Sequence, residues 1–467
     1  MVQVLLAWLF VAYFVFANGF QTLLLSCAWV EMVRHRRAIW AARGQRLLTS
    51  SATPRVSVLA PAYNEAATVA ASVRSLLTLS YPNLEVVVIN DGSSDATLAL
   101  LQEEFDLQAV HPAFGGKIST QPVLGLYRSR RHRSLVVVDK VNGGKADSLN
   151  AGLNVASGSL ICAIDADTLI EPDAFLRLVR PFIADEDTVA AGATIHVVNG
   201  SVVSNGRVVQ HRAARKILPG IQTMEYLRSF LFGRLGWNRL GGNLIISGAF
   251  GMFRRDAVLG TGGYRHDTVG EDMELVVRLR RRGLETSGPA KVVFVPDPIA
   301  WTEVPESART LGRQRDRWQR GLADVMWRHR GMIGNPRYGR LGLVAAPYFL
   351  VVELFGPVLQ VVGVAGLVLS MFLGALNWQF AALFLLLSYG WGVVLTGSAL
   401  VMHQWSSEEP FETRDLPRLL AFCLAENLGY RQLNVLWQIK GMWRYLRGRK
   451  DWGTMVRVGF EAGKPSG

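Results

Sequence analysis

Ser159-Leu160-Ile161-Cys162-Ala163-Ile164-Asp165-Ala166-Asp167 is a short apolar run closed by two carboxylates one residue apart. The run has the length and character of a buried strand. Side chains alternate faces along a strand, so Asp165 and Asp167 point the same way if the extended geometry persists. Two like charges held that close need a cation between them. A hard divalent ion such as Mg²⁺ or Mn²⁺ takes one or two carboxylates and fills its other positions with water and substrate phosphates. The stretch therefore predicts an enzyme that handles a phosphorylated substrate. Taken alone it reads as an acidic turn, because Asp is a common turn residue, and the surrounding sequence has to decide.

Working outward, strands are predicted over residues 55–60, 84–90 and 135–138, and helices over 66–80, 96–105 and 145–157. Strands alternating with helices imply an α/β domain built on a mostly parallel sheet. Ligands on such sheets sit beyond the carboxyl ends of the strands. Polar clusters fall at those ends: residues 61–65, residues 90–95, and the two aspartates. There is no Gly-x-Gly-x-x-Gly after the first strand and no Gly-Lys-Ser/Thr loop, so the usual dinucleotide fingerprint and P-loop are excluded. A nucleotide would instead be held by carboxylates on its base and ribose, with a metal on its phosphates.

Three further segments carry chemistry. Asn142-Gly143-Gly144-Lys145-Ala146 opens a predicted helix. Its glycines let the backbone approach a ligand, and Lys145 sits near a helix N-terminus, where N–H groups favour anions. Gly270-Glu271-Asp272 begins an amphipathic helix, placing two acids in its first turn. Acids are favoured there by the dipole, and either could serve as a general base. Arg313-Gln314-Arg315-Asp316-Arg317-Trp318 is dense in donors. Arginine suits a diphosphate held by two contacts, and Trp318 offers a flat face for a sugar. A juxtamembrane basic patch would have the same composition.

The 467-residue chain is half apolar and carries a net charge of +13. Residues 1–30 hold no charged side chain, enough for a transmembrane helix assigned to residues 1–32. The run lacks a basic start and is too long for a cleaved signal peptide. Arg34, Arg36, Arg37 and Arg43 follow it, which puts the next domain, residues 53–335, in the cytoplasm. Residues 341–402 read as an interfacial or kinked helix and a transmembrane hairpin. Residues 403–467 read as an amphipathic helix over 416–445 and a basic tail, because a further crossing would put residues 444–450 outside, against the charge rule. Cys27, Cys162 and Cys423 have no metal-ligand spacing and do not make a disulfide framework, which fits a reducing compartment.

Pro61-Ala62-Tyr63-Asn64-Glu65, Asn90-Asp91-Gly92-Ser93-Ser94-Asp95, Gly144-Lys145-Ala146, Asp165-Ala166-Asp167, Gly270-Glu271-Asp272 and Gln314-Arg315-Asp316-Arg317-Trp318 occur in one order. Together they resemble the membrane-embedded members of glycosyltransferase family 2, the group of cellulose, chitin, hyaluronan and poly-N-acetylglucosamine synthases. The resemblance implies a GTA-type nucleotide-diphospho-sugar transferase domain flanked by transmembrane helices, and inversion at the anomeric carbon. It gives Asp272, beside Glu271, the role of base on the acceptor. Pro61, Tyr63, Glu65, Asp91, Lys145, Asp165, Gln314 and Arg317 would bind the nucleotide-sugar, and Asp165 and Asp167 the Mg²⁺ or Mn²⁺. Trp318, Ser247, Gly248 and Phe250 would meet the acceptor.

The expected function is transfer from a UDP-sugar, UDP-N-acetylglucosamine or UDP-glucose, to a growing β-linked polysaccharide at the cell membrane, by a multi-pass protein. Transfer of one sugar to a lipid or lipid-linked acceptor is a second reading, and a catalytically inert membrane receptor or scaffold a third. About three spans enclose a polymer channel only with help, so an accessory export subunit is among the expected partners, with the lipid bilayer. The basic clusters lie mainly beside apolar spans, which removes nucleic acid from the list.

Overall fold

The computed structural model describes residues 2–42, 53–110, 116–165, 168–204, 206–374, 376–407 and 410–449. They divide into two compact units. One contains Ala38–Gln210 and Asn243–Glu303; the other contains the residues before Ala38, His211–Gly242 and those from Val304 onward.

The first unit is built on a ten-stranded sheet. Its strands are β1 (Val56–Ala62), β2 (Leu84–Asp91), β3 (Leu107–Ala109), β4 (Val123–Ser129), β5 (Leu135–Lys140), β6 (Leu160–Ile164), β7 (Leu169–Ile170), β8 (Thr188–Val197), β11 (Phe250–Arg254) and β12 (Lys291–Thr302). A separate hairpin pairs β9 (Val202–Ser204) with β10 (Arg207–Gln210). The order is β3-β4-β5-β2-β1-β6-β11-β8-β12-β7. The parallel core expected from the alternation is β5-β2-β1-β6. Beyond it the sheet is mixed: β11 runs antiparallel to both β6 and β8.

The central strands are near-continuous apolar runs because helices cover both faces. Val86, Val87, Val88 and Ile89 of β2 and Leu160, Ile161 and Cys162 of β6 are all at most 1% exposed. The helix Lys145–Val155 packs Leu149, Ala151 and Leu153 into a cluster with Leu59, Ile89, Val136 and Ile161. Register then fixes the site. Ala62 lies opposite Asn90 and Asn90 opposite Asp139, so the carboxyl ends of β1, β2 and β5 come level.

The second unit holds the apolar helices. Phe10–Ala38 and Trp378–Ser406 are each long and apolar enough to cross a membrane, and Leu341–Leu354 with Gly356–Phe372 makes a third span if that pair, bent by 42°, is one. The expected first span thus runs past residue 32, and the kinked segment is this bent pair. The amphipathic stretch is two helices, Leu416–Ala425 and Arg431–Leu446, with non-helical backbone at Leu428 and Gly429 between them. Gly429 has φ 111°, a conformation that glycine adopts without steric cost. The compact units do not part at residue 335, the expected domain end. The helix Ala308–Arg328, with Gln314, Arg317 and Trp318, belongs with the apolar helices.

Candidate active site

The site of the first unit is organised by a buried lysine at the end of β5. Lys140 is 0% exposed, and its Nζ lies 2.7 Å from Asp91 Oδ1 and 2.7 Å from Asp147 Oδ1. It also donates to the Val141 carbonyl at 2.6 Å. A buried ammonium is tolerated only when it is paired and hydrogen-bonded, and here two carboxylates do this. Asp91 accepts four contacts in all. Lys140 Nζ and Gly143 N–H (3.0 Å) reach Oδ1, while Gly144 N–H (2.8 Å) and Asn142 Nδ2 (3.3 Å) reach Oδ2. A carboxylate has about four lone-pair positions. Asp91 is expected to hold the nucleoside; in the structure its carboxylate also ties Lys140 to the Asn142-Gly143-Gly144 turn. Gly144 has φ 82° at the N-cap of the helix Lys145–Val155, a conformation that a side chain would strain.

That helix delivers Lys145. Its Nζ donates to Asp165 Oδ1 at 2.5 Å and to the Gly248 carbonyl at 3.1 Å. Burial works against the ammonium, but Asp165, Glu271 and Asp272 outweigh it and hold the Lys145 pKa above the ordinary lysine value. The N–H of Gly248 donates to Asp272 Oδ2 at 3.0 Å, and Met273 N–H to Asp272 Oδ1 at 2.7 Å. The backbone of Gly248 therefore joins Asp272 to Lys145, through its N–H on one side and its carbonyl on the other, and Lys145 in turn pairs with Asp165. A Cβ at Gly248 would come within 3.1 Å of Asp272 Oδ2. Lys145, Ser247, Gly248, Glu271 and Asp272 line one pocket, whose apolar wall includes Leu149 and Phe253.

Around the end of β1, Tyr63 is 54% exposed and Pro61 and Glu65 half-buried. Glu65 Oε2 accepts from Thr68 Oγ1 at 2.7 Å, and its carbonyl opens the next helix. Asn64, at φ 54°, donates its N–H to Ser93 Oγ and accepts from Ser94 N–H. Asp95 accepts from Ala66 N–H at 3.1 Å. The two loops expected to surround a nucleotide are thus tied to each other.

Phe250 is a correction. It is 0% exposed, lies opposite Ile164 in β11 and packs its ring 5.8 Å from Phe175. Both faces of β11 are covered and the ring is fully enclosed, so it does not line an acceptor site. Asp167 and Ala166 lie outside the described residues. Gln314, Arg317 and Trp318 share one face of the helix Ala308–Arg328 in the other unit, at the i, i+3, i+4 spacing. Sequence reasoning missed Lys140 and Asp147. The signal was present: a lysine closing an apolar strand run, followed by a carboxylate in the first turn of the next helix.

A divalent ion is compatible with the donors present. Asp165 offers hard carboxylate oxygens at the end of β6, with its side chain 28% exposed. Among the described residues no three His, Cys, Asp or Glu side chains converge as a metal cage. Mg²⁺ and Mn²⁺ keep waters and substrate phosphates in their shell, so few protein oxygens are needed to hold them.

A parallel core with carboxylates and a lysine at its carboxyl ends, continued by an antiparallel β11, defines a GT-A nucleotide-sugar transferase domain. The chain belongs to glycosyltransferase family 2: the model of glycosyl transferase family 2 matches residues 57–260, and that of glycosyl transferase family group 2 matches residues 160–395. Poly-beta-1,6-N-acetyl-D-glucosamine synthase of Staphylococcus aureus (strain COL) is 28% identical over 274 residues, 58% of this chain and 56% of that protein. The Staphylococcus epidermidis enzyme of the same name is 29% identical over the same length. The chain spans about half the length of the curated relatives it matches. The mannosyltransferase PcManGT from Pyrobaculum calidifontis, solved with GDP-Man and Mn²⁺, shares the fold at a TM-score of 0.51 and 19% identity, over 91% of this chain and 99% of that one.

Proposed function

We propose that the protein is a membrane-bound inverting glycosyltransferase that moves N-acetylglucosamine from UDP-N-acetylglucosamine onto a growing β-linked polysaccharide, with its sheet unit in the cytoplasm. The observation that carries the reading is Gly248, whose N–H holds the acid Asp272 and whose carbonyl holds the ammonium of Lys145. A base and a cation are thereby fixed side by side before any substrate binds, which is the preorganisation that a single displacement requires.

In that displacement the acceptor hydroxyl oxygen attacks the anomeric carbon while Asp272 takes its proton. The bond from that carbon to the diphosphate oxygen breaks, and the electron pair leaves with UDP. Lys145, kept charged by its acidic neighbours, meets the charge that grows on the diphosphate. Asp91 acts through the Gly143-Gly144 turn, aiming the first N–H groups of the helix Lys145–Val155 at the phosphates. Residues 61–65 enclose the base. Asp165 and Asp167 would hold the divalent ion, which would supply further positive charge to the leaving group. Gln314 and Arg317 serve the diphosphate, and Trp318 the acceptor sugar.

The staphylococcal relatives support the sugar, and Arg34, Arg36 and Arg37 at the end of the Phe10–Ala38 span support the orientation. The test is a panel of UDP-N-acetylglucosamine, UDP-glucose and GDP-mannose with Mg²⁺ or Mn²⁺, given to the purified full chain in detergent, followed by linkage analysis. A β-linked polymer made from UDP-N-acetylglucosamine is expected. A product carrying one sugar, or turnover of another donor alone, overturns the assignment.

A further inference from the structure

The motif helix Ala308–Arg328 presents Gln314, Arg317 and Trp318 on one face and buries the two intervening positions that the Gln-x-x-Arg-Trp pattern leaves unspecified. Arg315 is 4% exposed and Asp316 3%, whereas Trp318 is 44% exposed. Both buried residues are paired. Asp316 is held by Arg444 and lies 3.6 Å from Arg320. Arg315 Nη2 sits 2.7 Å from Glu225 Oε2, on the helix Ile217–Leu227. The same oxygen accepts the hydroxyl of Tyr430 at 2.9 Å. Arg315 Cζ lies 4.3 Å from the centroid of the Trp318 ring.

We propose that Arg315 is a positioning residue for Trp318, and that Glu225 and Tyr430 fix Arg315 in that task. A guanidinium over an indole is attracted by the ring's negative face, more strongly when partly desolvated. It covers one face and leaves the opposite face for the apolar side of a pyranose. Arg315 cannot swing away, because the Glu225 carboxylate holds it from behind and the Tyr430 hydroxyl shares that carboxylate. Lysine would not substitute fully, since it lacks the planar fork that engages the carboxylate and the ring together. Tyr430 also begins the chain after the non-helical Leu428-Gly429 step. The orientation of Trp318 is therefore tied to the path of the chain at that break.

The inference rests on the reading of Trp318 as an acceptor contact, and the experiment separates the two. Initial transfer rates of the full chain are measured against a short β-linked N-acetylglucosamine oligosaccharide at saturating UDP-N-acetylglucosamine, and against the donor at saturating oligosaccharide. Arg315→Met and Tyr430→Phe should raise the acceptor KM, the first about fivefold to tenfold, with the donor KM unchanged. Arg315→Lys should recover part of the loss. In a Trp318→Phe background the Arg315→Met effect should shrink, because the ring it positions is altered. Equal changes in both KM values, or full additivity with Trp318→Phe, overturn the role of Arg315. An unchanged acceptor KM in Trp318→Phe alone overturns the acceptor assignment instead. The emission of Trp318, taken as wild type minus Trp318→Phe, gives a readout that needs no turnover. It should shift when Arg315 becomes Met, and an unmoved spectrum also refutes the proposal.

Discussion

Replacing Lys140 by Met removes a positive charge from between two acids without opening a large cavity. The side chains of Asp91 and Asp147 are only 5% and 6% exposed, and water cannot take over from the lost ammonium. Asp91 would keep the N–H groups of Gly143 and Gly144, and Asp147 that of Gln121. Those contacts offset part of the loss but carry no charge. Breaking a buried pair by removing one partner costs about 3–5 kcal/mol. For a unit of this size a kcal/mol moves the thermal midpoint by roughly 2–4 °C, so the midpoint should fall by about 6–20 °C. Neutralising both acids as well, in Lys140→Met/Asp91→Asn/Asp147→Asn, should restore part of it, since no buried charge remains uncompensated. Scanning fluorimetry on the purified full chain measures the fall and its partial recovery. A Lys140→Met midpoint within about 2 °C of wild type would refute the organising role given to this lysine.

Gly248→Ala places a methyl 3.1 Å from Asp272 Oδ2 and 3.5 Å from Lys145 Nζ, so kcat should fall about tenfold or more with little change in thermal midpoint; steady-state kinetics beside fluorimetry checks the split. Phe250→Ala should cost about 3–5 kcal/mol of stability and leave the acceptor KM of the surviving folded protein alone, because the ring is core. Burial tends to raise the Asp95 pKa, but hydrogen bonds from Thr97 and the Ala66 N–H outweigh it and hold the carboxyl below its ordinary value. Its stabilising effect is present above the unfolded value near 3.9 and is lost as pH falls through the lower folded one. The midpoint gap between wild type and Asp95→Asn should therefore be constant from pH 5 to 7 and narrow below pH 4.

The parallel core was legible because β1, β2, β5 and β6 are short apolar runs bounded by turn residues, and their polar ends fall where ligands bind. The antiparallel β11 was not, since Phe250-Gly251-Met252-Phe253 follows a loop and a four-residue apolar run carries no mark of its direction. The same gap hid the fate of Phe250: an aromatic beside Ser247-Gly248 looks like a site residue until the packing around a strand covered on both faces encloses it. Asp272, Lys145 and Gly248 were each named from sequence, but not the way the Gly248 backbone joins the other two, because that junction depends on folding between distant segments. Lys140 escaped notice because buried charge is invisible to a reading based on hydropathy. Its partners lie 49 residues upstream for Asp91 and in the first turn of the next helix for Asp147. Arg315 was read as one donor in a basic run; only packing separates it from its exposed neighbours.

The central claim is that Asp272 is the base of a sugar transfer whose donor is held elsewhere in the site. Asp272→Asn keeps the size and one acceptor oxygen of the side chain and removes its basicity. Incorporation of labelled N-acetylglucosamine from UDP-N-acetylglucosamine into β-linked product, measured on the full chain alongside UDP affinity, tests this directly. The expected result is a rate lower by about 10²–10⁴ with UDP binding unchanged. Transfer within a few-fold of wild type, or loss of transfer matched by loss of UDP binding, would contradict it.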